Sequence, residues 1–174
     1  GLGRTPVREA LLRMVSIGLI VQLPRRGLQV SNIDLADHLD VIQTRRTLER
    51  LLASCAARRA TAPQRAAILR CAQAMVLAAE RGDLDDYMLV DHQLDIVVHQ
   101  ASQNYSAVKC VAPLIVQCRR FWYAYQHEGD VTEGARAHMQ LAQGIATGNE
   151  NDAVAGACQL MDYLEQFARR IIDQ

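Results

Sequence analysis

The chain has 174 residues, half of them hydrophobic and 22% charged. That is enough for one domain, or one domain with a small appendage, and it excludes a disordered segment and a coiled-coil rod. Formal charge is zero, from 19 Lys+Arg and 19 Asp+Glu. The global figure argues against a strongly nucleic-acid-binding surface, but the charge is unevenly spread. Residues 1–32 carry Arg4, Arg8, Arg13, Arg25 and Arg26 against Glu9 alone, a net +4, which leaves −4 on residues 33–174. A basic head on an acidic body points to two tasks in one chain.

The sequence contains no apolar run near the roughly 20 residues that span a bilayer, so no membrane partner is expected. It begins without the apolar stretch of a secretory signal. Cys55, Cys71, Cys110, Cys118 and Cys158 are odd in number, scattered and without a CxxC pair. They read as reduced, mostly buried thiols, and the expected location is the cytoplasm.

In chain order, Thr5-Pro6 reads as a helix start, with Thr5 as N-cap and Pro6 at the first helical position. Val7, Leu11, Leu12, Met14 and Val15 continue at helical spacing, and Gly18 ends the helix. Leu19–Leu23 and Leu28–Ser31 read as two strands around the turn Pro24-Arg25-Arg26-Gly27, with Gly27 free to take positive φ. From Asp34 the pattern is helical, with helices expected near 34–60, 63–81, 83–102, 104–127, 131–148 and 150–172. Thr61-Ala62-Pro63, Arg81-Gly82-Asp83, Gln103-Asn104, Gly129-Asp130 and Gly148-Asn149 punctuate them. Six helices of this length predict an antiparallel bundle over 33–174, following a head over 1–32.

A helix that enters the major groove needs small or polar residues at its start and arginines to pair with guanine or phosphate. Gly3-Arg4-Thr5-Pro6-Val7-Arg8-Glu9 meets that need, with Arg4 and Arg8 four apart on one face. Arg25 and Arg26 would reach the DNA backbone or minor groove from the hairpin tip. Composition alone leaves a merely solvated basic face equally open. The order of residues favours DNA. Arg4-Thr5-Pro6-Val7-Arg8-Glu9-Ala10-Leu11, then Gly18-Leu19, then Pro24-Arg25-Arg26-Gly27, resembles the recognition helix and wing of the GntR family of bacterial transcription regulators. Asp34-Leu35-Ala36-Asp37 and Arg45-Arg46-Thr47-Leu48-Glu49 resemble the first helix of that family's FCD effector domain. Asp91, Ala101-Ser102-Gln103-Asn104, Ala137-His138 and Gly148-Asn149 fall at the same domain's spacing.

The resemblance implies a mainly α fold: part of a winged helix-turn-helix, then a six-helix FCD bundle. Arg4, Thr5 and Arg8 would contact operator DNA, and Arg25, Arg26 and Gly27 would form the wing tip. The family places two helices before its recognition helix and this sequence starts directly before it. The 174 residues are therefore expected to bind operator DNA poorly by themselves, with Leu11, Leu12 and Ile20 left uncovered. A homodimer is expected, because a two-fold protein matches a palindromic operator.

In the body, Asp91 and Asp95 share one helix face, and His99 lies a turn further along it. The resemblance implies a divalent-metal site built from an Asp, a His four residues later, and one His on each of the last two helices. Asp91 and His138 match two of these ligands. Asp95 stands at the second position, and a gapless count places Leu160 at the fourth, with Asp162 two residues off and turned away. Asp91, Asp95 and His138 thus form an incomplete set, expected to hold at most a weak, exchangeable hard ion. The alternative is a hydrogen-bonded polar core without metal.

Arg45 matches the family's effector-facing arginine and suits a small carboxylate effector; without the resemblance it reads more simply as an i,i+4 ion pair with Glu49. His99 and Arg119 are the further effector candidates. Arg120, Trp122, Tyr123 and Tyr125 are placed to line or cover the cavity, Trp122 more simply as core. The resulting reading is a ligand-responsive regulator and not an enzyme. The rival is an all-helical metal-dependent hydrolase, with Asp91, Asp95 and His138 activating a water. The basic head has no role in that rival, and no catalytic triad, P-loop or GxGxxG is present.

Overall fold

A computed structural model describes residues 3–173. They divide into two compact units, with the boundary after Leu35, a few residues later than the composition break suggests.

The first unit is a helix and a hairpin: α1 (Arg4–Ser16), β1 (Ile20–Leu23) and β2 (Gly27–Val30). Gly3, not Thr5, takes the N-cap position, and it makes no side-chain cap bond. Thr5 lies in the first turn and Pro6 stands third in the helix. Proline is tolerated there because the first N–H groups of a helix lack intrahelical partners. At the other end Gly18 has φ 77°. The Leu19 N–H donates to the Met14 carbonyl at 3.0 Å and the Gly18 N–H to that of Val15 at 3.1 Å. This paired closure requires a left-handed residue at the stop. The strands pair antiparallel, from Ile20 with Val30 to Leu23 with Gly27. Gly27 has φ 84°, as expected, but Arg25 also takes a left-handed value, φ 60°. The unit buries none of its α1 side chains. Val7, Leu12, Met14, Val21, Leu28 and Val30 are all at least 40% exposed.

The second unit is a bundle of α2 (Leu35–Arg59), α3 (Ala62–Arg81), α4 (Leu84–Ser102), α5 (Tyr105–Ala124), α6 (Val131–Thr147) and α7 (Glu150–Ile172). Polar side chains start most of them. Thr61 forms a reciprocal capping box with Gln64, and Asp83, Asn104, Asp130 and Asn149 each accept first-turn N–H groups. Such caps satisfy donors the helix cannot. The helix expected to reach residue 127 ends at Ala124, and the chain tightens into a 3-10 turn over Gln126–Glu128.

The core joins α3, α4, α6 and α7 through small residues around Ile68, Met75, Leu94, Leu141 and Ile145. Helices α6 and α7 approach backbone to backbone. A Cβ on Gly144 would lie 2.2 Å from the Ala153 nitrogen, and one on Gly156 would lie 2.4 Å from that of Leu141. Arg65 of α3 ties three helices: it donates to the carbonyls of Ala57, Ala60, Ile145 and Ala146. It thereby adds donors to C-terminal acceptors of α2 and α6. His38 is buried, with its ring stacked on Phe121 at 3.7 Å and 5° between planes. Burial, and then the nearby Arg45 charge, lower its pKa from 6.5 to about 4.

Two outcomes follow from this packing. An alanine at an ordinary helical glycine stabilises by about 1 kcal/mol, but at Gly144 or Gly156 the new methyl meets backbone that cannot rotate away. Gly144→Ala and Gly156→Ala should each destabilise by about 2 kcal/mol or more, lowering the melting temperature by roughly 4 °C or more; a neutral effect would refute the close crossing. The folded state refuses the proton that His38 of the unfolded chain takes up below pH 6.5. Stability should therefore fall as pH drops from 6.5 towards 4 and be flat on this account above 7. His38→Phe should abolish about 2 kcal/mol of the loss between pH 7 and 5, read from denaturation midpoints at each pH.

Candidate functional site

The second unit holds a cavity of about 40 Å³. Five of the six helices contribute residues. Tyr87, Met88 and Asp91 come from α4. Ile115, Cys118, Arg119 and Trp122 come from α5. Leu160, Tyr163 and Leu164 come from α7, with Arg45 from α2 and His138 from α6. The aromatic side is rigid: the Trp122 Nε1–H donates to the Tyr163 hydroxyl at 3.0 Å, and Tyr87 stands edge-on to His138. Gly134 permits this approach, since a Cβ there would lie 2.8 Å from the Tyr87 hydroxyl.

The polar side is a network of charges. The Arg119 Nε–H donates to Asp91 Oδ2 at 2.6 Å and its Nη2 to Asp95 Oδ2 at 2.7 Å. Its Nη1 lies 3.3 Å from His92 Nδ1. The other Asp91 oxygen, Oδ1, meets His138 Nε2 at 3.1 Å, and His138 Nδ1 lies 2.8 Å from the Gly134 carbonyl. A carbonyl and a carboxylate only accept, so both ring nitrogens are best satisfied as donors. Arg45 Nε donates to Glu49 at 2.8 Å, with both side chains buried.

These contacts set the protonation states. Burial pushes the Asp91 carboxyl upward, but the His138 hydrogen bond and the Arg119 charge outweigh it and hold Asp91 well below the usual carboxylate range. Burial, then the neighbouring Asp91 charge, raises Asp95 against the pull of Arg119. Burial would lower His138, yet its bond to Asp91 and that carboxylate's charge raise it. With His138 protonated, Arg45, Arg119 and His138 balance Glu49, Asp91 and Asp95.

The structure brings Arg45, Asp91, Arg119 and His138 together on one cavity, with Asp95 behind them on Arg119. It gives Arg119 acidic partners that sequence spacing did not reveal. Arg45 makes the ion pair with Glu49 and lines the cavity as well. His99 is not among the lining residues; its Nε2 is buried without a hydrogen-bond partner. Leu160 lines the cavity at the position counted for a fourth ligand. Asp162 turns outward to Arg46 at 2.5 Å. Trp122 is both wall and core, whereas Tyr123 is half exposed. The residues do not fit a divalent ion. Among the described residues no group of three or more His, Cys, Asp or Glu side chains is arranged to hold one, and the oxygens that would face it are engaged by Arg119 and His138. Sequence reasoning missed Tyr87, Cys118 and Tyr163; only their helical register with Asp91, Trp122 and Leu160 could have signalled them.

In the first unit, Arg4, Thr5, Arg8, Arg25, Arg26 and Gly27 are all exposed. Arg4 and Arg8 flank an apolar groove that includes Val7, Leu11, Leu12 and Leu28. Among the described residues no helix is long and apolar enough to cross a membrane.

Comparison with known proteins places these features in a family. The chain is 37% identical over 97 residues to an uncharacterized HTH-type transcriptional regulator of Agrobacterium vitis, a match covering 53% of this chain and 56% of that protein. It is 24% identical over 171 residues to the HTH-type transcriptional repressor RspR of Escherichia coli strain K12, covering 97% of this chain and 73% of that one. The match thus spans little more than half the length of the first relative. The solved structure of E. coli McbR/YncC shares the fold, with a TM-score of 0.85 at 18% identity over 99% of this chain and 82% of that one. The model of the FCD domain matches residues 40–163, and the chain belongs to the FCD domain family.

Proposed function

We propose that the protein is a GntR-type transcription regulator whose first unit contacts operator DNA and whose helical bundle binds a small-molecule effector. The observation that carries the effector reading is the cavity itself: aromatic and aliphatic walls with Arg45 set among them. The Nε of Arg45 donates to Glu49 and the guanidinium also meets the Cys118 thiol; its remaining N–H donors suit a carboxylate. Exposed arginines on α1 and at the hairpin tip support the DNA reading, with side chains of the type that pair with guanine and phosphate. Both curated relatives described above are named as transcriptional regulators. The hydrolase alternative finds no support, because the carboxylates that would hold its catalytic ion are spent on Arg119. A homodimer fits this reading, since two heads are needed for a two-fold operator.

Selection from a pool of random duplexes with the full-length protein should yield a palindromic site. Arg4→Ala or Arg8→Ala should weaken binding to that site by about 10-fold or more, as loss of a base contact costs roughly 1–3 kcal/mol. Arg25→Ala and Arg26→Ala should weaken all sequences alike and each reduce the salt slope by about 1. Variants that bind as well as the parent would refute the assignment.

A melting screen against small organic acids tests the cavity. An acid at a hundredfold its Kd contributes about 2.7 kcal/mol, or roughly 5–10 °C in a chain of this size. Arg45→Gln paired with Glu49→Gln removes the guanidinium without leaving a buried carboxylate alone. That double variant should fold and lose the shift; retention of the shift would place the acid elsewhere.

A further inference from the structure

We propose that the Arg119 guanidinium is the built-in cation of this pocket, occupying the position between Asp91 and Asp95 and excluding a divalent metal ion. The proposal rests on the reading of the cavity as the effector site, and it assigns Arg45 alone, not a bound metal, to receive the effector's charge.

Three observations carry it. The first is the fork: one rigid planar group spans both carboxylates at 2.6 and 2.7 Å, as short as the tightest charge-assisted bonds. The second is that the donor atoms are spent. Asp91 uses Oδ2 on Arg119 and Oδ1 on His138, whose Nε2 is the nitrogen a metal would need. The third is withdrawal from water: the Asp91, Asp95 and Arg119 side chains are 13%, 17% and 21% exposed. A metal would have to expel the guanidinium from a partly dry site, because two adjacent cations there would repel each other with little screening. Leu160 offers that metal no donor in compensation.

The test uses metal alone as the probe. Protein purified without chelator should contain under a tenth of a metal equivalent per chain, and 0.1 mM Mn²⁺ or Zn²⁺ should move its melting temperature by less than 1 °C. Arg119→Ala leaves two buried carboxylates without a cation and should melt several degrees lower. It should then bind one divalent ion per chain by calorimetry, with at least half of the lost melting temperature recovered. Adding Asp91→Asn to Arg119→Ala should abolish that binding. Arg119→Gln, which keeps the side-chain bulk, repeats the test should the alanine variant not fold. A parent protein holding one metal per chain, with a melting temperature lowered by EDTA and by Asp91→Asn, would overturn the proposal. So would folded Arg119→Ala or Arg119→Gln protein that takes up no ion. A metal-free parent that responds to no organic acid would sink the effector reading and leave this one standing.

Discussion

The body of this protein is governed by the need to neutralise charges it has removed from water. Six ionisable groups gather on or beside one cavity, from four of the six helices: Arg45 and Glu49 on α2, Asp91 and Asp95 on α4, Arg119 on α5 and His138 on α6. Any one of them alone would cost several kcal/mol to bury. Together they close: Glu49 on Arg45, both aspartates on Arg119, and His138 on the remaining oxygen of Asp91. Such a network adds little net stability over an apolar core. It does fix the rotation of each helix, since a turn of α4 or α5 by one residue would strand the aspartates.

The apolar packing provides the frame in which those distances can be met. Helices α6 and α7 meet at Gly144 and Gly156 with no side chain between their backbones, and Arg65 holds the ends of α2 and α6 by their carbonyls. His138 and Leu160 are carried by the two helices of that close crossing, so the site inherits their rigidity. His38 shows the cost of the arrangement on its far side: stacked on Phe121 and near Arg45, it must remain neutral.

The helices were legible in the sequence because their ends are written in cap chemistry. Thr61, Asp83, Asn104, Asp130 and Asn149 stand where backbone donors need acceptors, and Gly82 and Gly148 where the chain must turn left-handed. Thr5 misled because it precedes a proline, a pattern that also fits the first turn. Arg25 could not be foreseen at positive φ, since nothing about arginine prefers it. Asp91, Asp95 and His138 were found by spacing and by family resemblance. The shared partner of the two aspartates was not, because Arg119 lies 28 residues from Asp91, and sequence spacing says nothing of contacts between helices. The i,i+4 pair of Arg45 and Glu49 was legible for the opposite reason: one helix fixes both ends.

The bonding of the cavity walls constrains how an effector could act. The side chains that line it are already bonded to one another. An effector that pushes them aside meets resistance. Tyr163 is anchored by Trp122, and Asp91 by Arg119 and His138, so their displacement is resisted by bonds that must be broken or exchanged. An effector that replaces those bonds binds the open arrangement and not the closed one. That difference in affinity is what can shift a population between two states, and by linkage DNA must alter effector affinity by the same factor. A pocket open beforehand would bind more tightly but would transmit less, because its ligand would not distinguish the two states.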